Sequence, residues 1–310
     1  MEEQLRQQAI ELYDRFTHEG LERRDFFAAM TRLAGGAAAA NLLIGSIAAS
    51  PAAAAIVPAG DKRLRTSNAT LLGATRTPYK AYVAEPRARA ARRATVIVVH
   101  ENRGLNEHTR DVARRLALAG FHAVAPDFLS PSGGTPADED AARTAIGKLD
   151  LGASTAAGVA MLDELRARKG GNGRVGVVGF CWGGAYVNRL AVAAGGKLDA
   201  GVVYYGTAPD PSEAKRVSAP LLIHLAALDA RVNATGFPWV EGLRAAGKKV
   251  VFQLYDGVNH AFNNDTSAER YDKAAADLAW KRTLAFFKAR LAYPVPSAVV
   301  VDERSRVAAA

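Results

Sequence analysis

Between about residues 66 and 291, short apolar runs rich in β-branched residues alternate with longer amphipathic segments, and this order of elements constrains the fold more than any other feature of the chain. Residues 94–100, "ATVIVVH", are apolar without alternation, as a strand covered on both faces must be. Residues 80–86, "KAYVAEP", alternate and read as a short half-buried strand. "NEHTRDVARRLALAG" reads as an amphipathic helix that stops at Gly120, and "FHAVAPDF" as the strand after it. A Ser/Pro/Gly-rich loop at 130–140 has the composition of a mobile lid, and residues 138–168 form a long helical region broken near 147–152. Then come a strand at 174–180, a helix from Trp182, the strands "AGVVYYG" and "PLLIHLA", a helix over about 234–246, the strand "KVVFQLYDG" and a closing helix at about 267–291. Each helix carries the chain back to the same edge of the sheet, so the expected architecture is α/β: a mostly parallel sheet with helices on both faces.

The single cysteine of the 310-residue chain lies in "VGVVGFCWGGAY", where a strand runs into a helix. One cysteine excludes an internal disulfide and any CxxC-type zinc site. A buried cysteine is commonly a small hydrophobe, but the surroundings of this one suggest more. Gly179-Phe180-Cys181-Trp182-Gly183 has the spacing of G-x-S-x-G with sulfur in place of the hydroxyl. In that motif the nucleophile sits on a sharp turn whose flanking positions must lack side chains. The helix that follows also points its N-terminal dipole at the sulfur, favouring the thiolate.

A nucleophile on such a turn needs a base and an acid that orients the base, in the chain order nucleophile, acid, histidine. Two histidines follow Cys181. His224 lies inside "PLLIHLA" and reads as a core or sheet-edge residue, whereas His260 in "YDGVNHAF" follows a strand and is the expected base. Asp229 in "HLAALDARV" ends a neighbouring strand and is the expected acid. Asp256 is its rival and reads as a turn residue with Gly257. The strand "ATVIVVH" ends in "HENRGLNEH", where Gly104 rules out an HExxH zinc motif. That loop is placed to donate a backbone N–H from Asn102 to an oxyanion, beside the N–H of Trp182, and Glu101 stands within reach of the thiol.

These residues together resemble the dienelactone hydrolase family of α/β-hydrolases, whose members are carboxymethylenebutenolidase-like. The resemblance runs from about residue 66 to 291 and rests on "HENRGLN", "GFCWGG", the Asp229 segment and "GVNHAF". It implies an α/β-hydrolase fold and a Cys181–His260–Asp229 triad in which the sulfur attacks an ester or lactone carbonyl. His260 would act as base and then acid, and Asp229 would fix its tautomer. The resemblance further implies that Glu101 contacts the resting thiol, that water hydrolyses an acyl-thioester, and that no metal or organic cofactor takes part. Members that act on dienelactone hold its carboxylate with two arginines, but the corresponding stretches here, "APDFLSPSGG" and "HAFNNDT", contain none. Arg103, Arg231 and Arg270 are the candidates to replace them, with Phe262 as a further substrate contact. The expected substrate is therefore a small ester or lactone, and not dienelactone itself.

The remaining sequence sets the organisation: an N-terminal extension at 1–56, the hydrolase unit at 57–292 and a loose tail at 293–310. Residues 1–22 read as an amphipathic helix with Ile10, Leu12, Tyr13 and Phe16 toward one side. Residues 33–60 carry no charge but are too weakly apolar for a stable membrane span. Arg23 and Arg24, followed by Phe26 and Phe27, resemble a twin-arginine export signal with cut sites around 49–55, which implies a periplasmic protein. The alternative is a cytoplasmic protein whose helical extension is retained and packs on the hydrolase unit or a second subunit, so monomer and homodimer both stand open.

The net charge of +9 is scattered. Its densest cluster, Arg87, Arg89, Arg92 and Arg93, lacks the interleaved aromatic residues of a nucleic-acid surface and reads as a solvated hairpin tip. Against the hydrolase stands a non-catalytic scaffold that uses the extension to engage a partner. A redox or thiol-peptidase role is weaker, because no resolving cysteine exists.

Overall fold

A computed structural model describes residues 2–48, 55–88 and 92–292. All but residue 55 of the expected cut-site stretch 49–55, Arg89 and the tail at 293–310 lie outside the described residues. One eight-stranded sheet forms the body: β1 (Leu64–Leu72), β2 (Pro78–Pro86), β3 (Arg93–Val99), β4 (His122–Pro126), β5 (Gly171–Phe180), β6 (Ala200–Tyr204), β7 (Leu221–Ala226) and β8 (Val250–Tyr255), in the order β1-β2-β4-β3-β5-β6-β7-β8. β1 and β2 pair antiparallel, as do β2 and β4, while every pair from β4 through β3 to β8 is parallel.

Parallel register places Val98, Val178, Val202 and Leu222 in one row across the sheet. Successive side chains of a strand point to opposite faces, and two cores follow from that. Val98, Val178 and Val202 pack with α4 (Glu107–Leu118) and α9 (Lys273–Leu291). Ile97, Val99, Val177 and Val203 pack on the other face with α6 (Leu151–Arg166), α7 (Trp182–Ala193) and α8 (Ala230–Ala245). Strands buried on both faces need apolar residues at every position, which is why their sequences do not alternate.

The starts of α4, α6, α8 and α9 follow side-chain caps. The break expected near 147–152 falls between α5 (Glu139–Gly147) and α6, where Asp150 accepts from Ala153 N at 2.9 Å. α8 starts four residues earlier than its apolar pattern suggests, because Asp229 caps it by accepting from Val232 N at 3.1 Å. α9 starts later than expected, at a cap from Asp272 to Ala275 N of 2.7 Å. β1 gave no clear sequence pattern: it is an edge strand whose buried side chains, Leu64 and Leu71, lie near its two ends.

The N-terminal extension forms α1 (Glu2–His18), α2 (Arg23–Ala34) and α3 (Ala37–Ile47) around a small core of Ile10, Tyr13, Phe26, Met30 and Ile47. Phe16 stacks on Phe26 with centroids 4.3 Å apart. No single described helix is long and apolar enough to cross a membrane, and α2 and α3 meet at 107°. Arg23, one of the twin arginines, pairs with Asp140 at 2.5 Å, and Ser267 Oγ donates to Ile47 O at 2.5 Å. The three helices thus sit on the α/β body above the C-terminal edge of the sheet. The 130–140 loop is tied down beneath them: Asp127 accepts from Leu129 N, Thr135 N and Thr135 Oγ1 at 2.8–2.9 Å.

Candidate active site

The turn from β5 into α7 is as sharp as its sequence implies. Cys181 has φ 53° and ψ −114°, a left-handed backbone that few non-glycine residues adopt and that functional sites often hold. Its N–H donates to Tyr204 O at 3.0 Å, fixing the turn to β6. The neighbouring glycines are required sterically. A Cβ on Gly179 would stand 2.1 Å from Gly183 O, and one on Gly183 would stand 2.5 Å from Val99 O. The thiol is only 7% exposed.

His260, in the loop after β8, is buried, and its Nδ1 lies 2.6 Å from Asp229 Oδ2 after β7. Asp229 divides its carboxylate between this contact and the cap of α8. Burial opposes the imidazolium of His260, but the Asp229 carboxylate and the Cys181 sulfur outweigh it and lift the pKa to about 10. Burial likewise opposes the Asp229 carboxylate, yet the charge and hydrogen bond of His260, with Arg231 and Val232 N, hold it below the usual range. His260 Nε2 is buried without a hydrogen-bond partner. His224 is a core residue, bonded to Thr283 at 3.1 Å and Tyr255 at 3.0 Å, and burial drops it to about 3. Asp256 is exposed in the turn with Gly257.

Cys181, Trp182, Asn102 and Arg231 line one cavity of about 310 Å³, a size suited to a small molecule. The N–H groups of Asn102 and Trp182 have no backbone acceptor among the described residues. Glu101 Oε2 accepts from Asn264 Nδ2 at 3.0 Å, and Glu101 Oε1 is buried without a partner. A larger groove of about 800 Å³ lies over α6 and α7, but neither Cys181 nor any histidine lines it.

The other expected substrate contacts are engaged elsewhere. Arg103 donates to Tyr13 Oη at 2.6 Å and pairs with Glu139 at 3.0 Å. Arg270 binds Asp14 at 3.2 Å and Ser267 at 3.0 Å. Phe262 is fully buried against Tyr204, Tyr205 and Tyr255, a core ring under the histidine loop rather than a wall of the cavity.

Two residues of the site were not singled out from sequence. Tyr205, with φ 36° and a buried unpartnered hydroxyl, stands edge-on to His260 at 5.1 Å. His18, the last residue of α1, has Nε2 3.8 Å from the Cys181 sulfur, whereas Glu101, expected at that thiol, makes its hydrogen bond to Asn264 instead. No local pattern marks either residue, since only packing brings them to the thiol. His18, Cys181 and His260 thus bring one nitrogen or sulfur atom each to within 4.8 Å of the others.

A sharp strand-to-helix turn at the C-terminal edge of a mostly parallel sheet, with Asp229 and His260 on the loops after β7 and β8, belongs to the α/β-hydrolase fold. Residues 79–291 match the model of the dienelactone hydrolase family, and the chain belongs to that family. A protein of Escherichia coli O157:H7 described as a candidate carboxymethylenebutenolidase is 33% identical over 261 residues, 78% of this chain and 93% of its own. A relative from Methylorubrum extorquens with the same description is 30% identical over 264 residues, 78% of this chain and 88% of its own. The solved structure of a candidate dienelactone hydrolase from Klebsiella pneumoniae superposes with TM-score 0.64 at 29% identity, covering 72% of this chain and 98% of that one. The chain is thus a hydrolase of the carboxylic-ester and lactone class.

Proposed function

We propose that this protein hydrolyses a small carboxylic ester or lactone through Cys181, His260 and Asp229. The observation that carries the reading is the 2.6 Å contact between His260 and Asp229 beside a buried thiol on a left-handed turn. With His260 lifted to about 10, the proton rests on the imidazole at neutral pH and the sulfur attacks as thiolate. A carbon–sulfur bond forms, the carbonyl electron pair moves onto oxygen, and the N–H groups of Trp182 and Asn102 receive the oxyanion. As the oxyanion collapses, the carbon–oxygen bond of the ester breaks and His260 Nε2 protonates the leaving oxygen. In a lactone that oxygen stays tethered, giving a hydroxyacyl-thioester. Water then gives a proton to His260, attacks the thioester and releases the carboxylic acid and the sulfur. Asp229 keeps the second proton on Nδ1 throughout, while Glu101 is held by Asn264 with one carboxylate oxygen left without a partner.

Hydrolysis of a short-chain aryl ester and a panel of lactones by the wild-type and Cys181→Ala proteins tests the reading. Loss of turnover by several orders of magnitude in the variant supports it. Equal rates in both proteins would sink it. A second reading, a scaffold that no longer turns over substrate, draws on the cover that α1 places over the thiol, and it predicts no hydrolysis in either protein.

A further inference from the structure

α1 ends against the nucleophile, and the hydrolase body is shaped to hold that end. The last carbonyls of a helix have no partner within it, and here side chains of the body supply them. Arg143 Nη1 donates to Phe16 O at 3.3 Å, and Asn102 Nδ2 donates to Thr17 O at 3.3 Å. The Arg143 guanidinium also lies over the Phe16 ring at 4.1 Å, where both cation–π attraction and the negative end of the helix dipole favour it. One turn earlier, Tyr13 and Asp14 take the guanidinium groups of Arg103 and Arg270. These contacts join residues more than 80 positions apart and converge on one point, the side chain of His18.

His18 stands edge-on to His260 with ring centroids 4.9 Å apart and, with Thr17, walls the cavity that contains Cys181. Its Nδ1 faces Asn102 Nδ2 at 3.5 Å, which assigns the lone pair to Nδ1 and the hydrogen to Nε2, the atom beside the sulfur. Burial, and then the charges of His260, Arg231, Arg270 and Arg103, push its pKa well below 6.5. The ring is therefore a neutral donor and does not compete with His260 for the proton.

We propose that α1 is a working wall of the active site and that His18 is a catalytic residue, its Nε2–H hydrogen-bonding the Cys181 sulfur and holding it on the elbow as an anion. The proposal rests on Cys181 being the nucleophile. It also requires residues 1–48 to remain with the hydrolase unit, because a cut at 49–55 with loss of the helices would strip one wall from the cavity.

The test uses the full chain with His18→Ala and His18→Gln, the latter keeping an N–H donor at similar reach. Two readouts are taken: kcat and KM on a neutral short-chain aryl ester, and the rate of alkylation of the sole cysteine by iodoacetamide across pH. His18→Ala is expected to lower kcat about 10–100-fold, the scale of one hydrogen bond to a charged group, with KM changed far less. The acid-side midpoint of alkylation should rise, and His18→Gln should recover part of both effects. Unchanged kcat and alkylation in a normally melting His18→Ala protein would overturn the proposal and leave α1 a mere cover. A rise in both would overturn it in the other direction, making α1 a block on the thiol. If the wild type cleaves no ester, the hydrolase reading fails while the alkylation midpoint still decides the His18 contact.

Discussion

His260 Nδ1 and Asp229 Oδ2 lie 2.6 Å apart across two loops, and this contact sets the charge state of the imidazole beside Cys181. Asp229→Asn keeps the size of the side chain but removes its charge and reverses the hydrogen bond it offers. The wrong tautomer then faces the sulfur. kcat/KM on an aryl ester is expected to fall about 10²–10⁴-fold, with the melting temperature measured alongside to separate catalysis from folding.

The same pair gives a pH dependence. His260 is raised from 6.5 to about 10, so its contribution to stability is fully present below 6.5 and is lost as pH climbs through 10. Asp229 is held below 3.8, so its share is present above 3.8 and is lost as pH falls further. Turnover should persist through neutral pH and decline near pH 10, where the leaving oxygen loses its proton donor. A pH–rate profile together with urea midpoints of wild type and Asp229→Asn checks both. A gap between the two proteins that widened toward pH 10 would contradict the assignment.

At Gly183 a Cβ would meet Val99 O at 2.5 Å and His100 O at 2.6 Å, backbone atoms at and just past the end of the central strand β3. Gly183→Ala should therefore cost about 3 kcal/mol or more, seen as a lower urea midpoint and poor soluble yield. Gly45, inside α3 with nothing within 4 Å of its Cβ position, supplies the contrast. Gly45→Ala should stabilise by about 0.5–1 kcal/mol.

Arg231 is the one of the three expected substrate arginines that lines the cavity, since Arg103 and Arg270 are held by Tyr13 and Asp14. Arg231→Gln should raise KM about 10-fold for an aryl ester whose acyl chain ends in a carboxylate, the scale of ~1.4 kcal/mol. KM for the neutral ester should change less than about 3-fold. Equal effects on both esters would remove Arg231 from substrate recognition.

The features legible in the sequence are those whose cause is local. Continuous apolar runs declare strands buried on two faces, and glycines either side of Cys181 declare a turn with no room for side chains. A histidine and an aspartate just past strand ends declare loops at one edge of the sheet. β1 leaves no clear pattern because an edge strand buries few of its side chains, and the place of Phe262 after His260 does not reveal which way the ring turns. The start of α8 was hidden because its first turn is set by the Asp229 cap and not by apolar periodicity.

By itself, then, the sequence determined the doubly covered sheet, the sharp turn at Cys181 and the placing of Asp229 and His260 on loops at one sheet edge, because backbone sterics and hydrophobic periodicity act over a few residues. Only the tertiary structure decided that His18, 163 residues before Cys181, stands at the sulfur, and that Tyr13 and Asp14 take two of the three arginines. Those contacts come from docking one helical unit on another, where shape and charge across the whole interface choose the partners and no short stretch of chain encodes them.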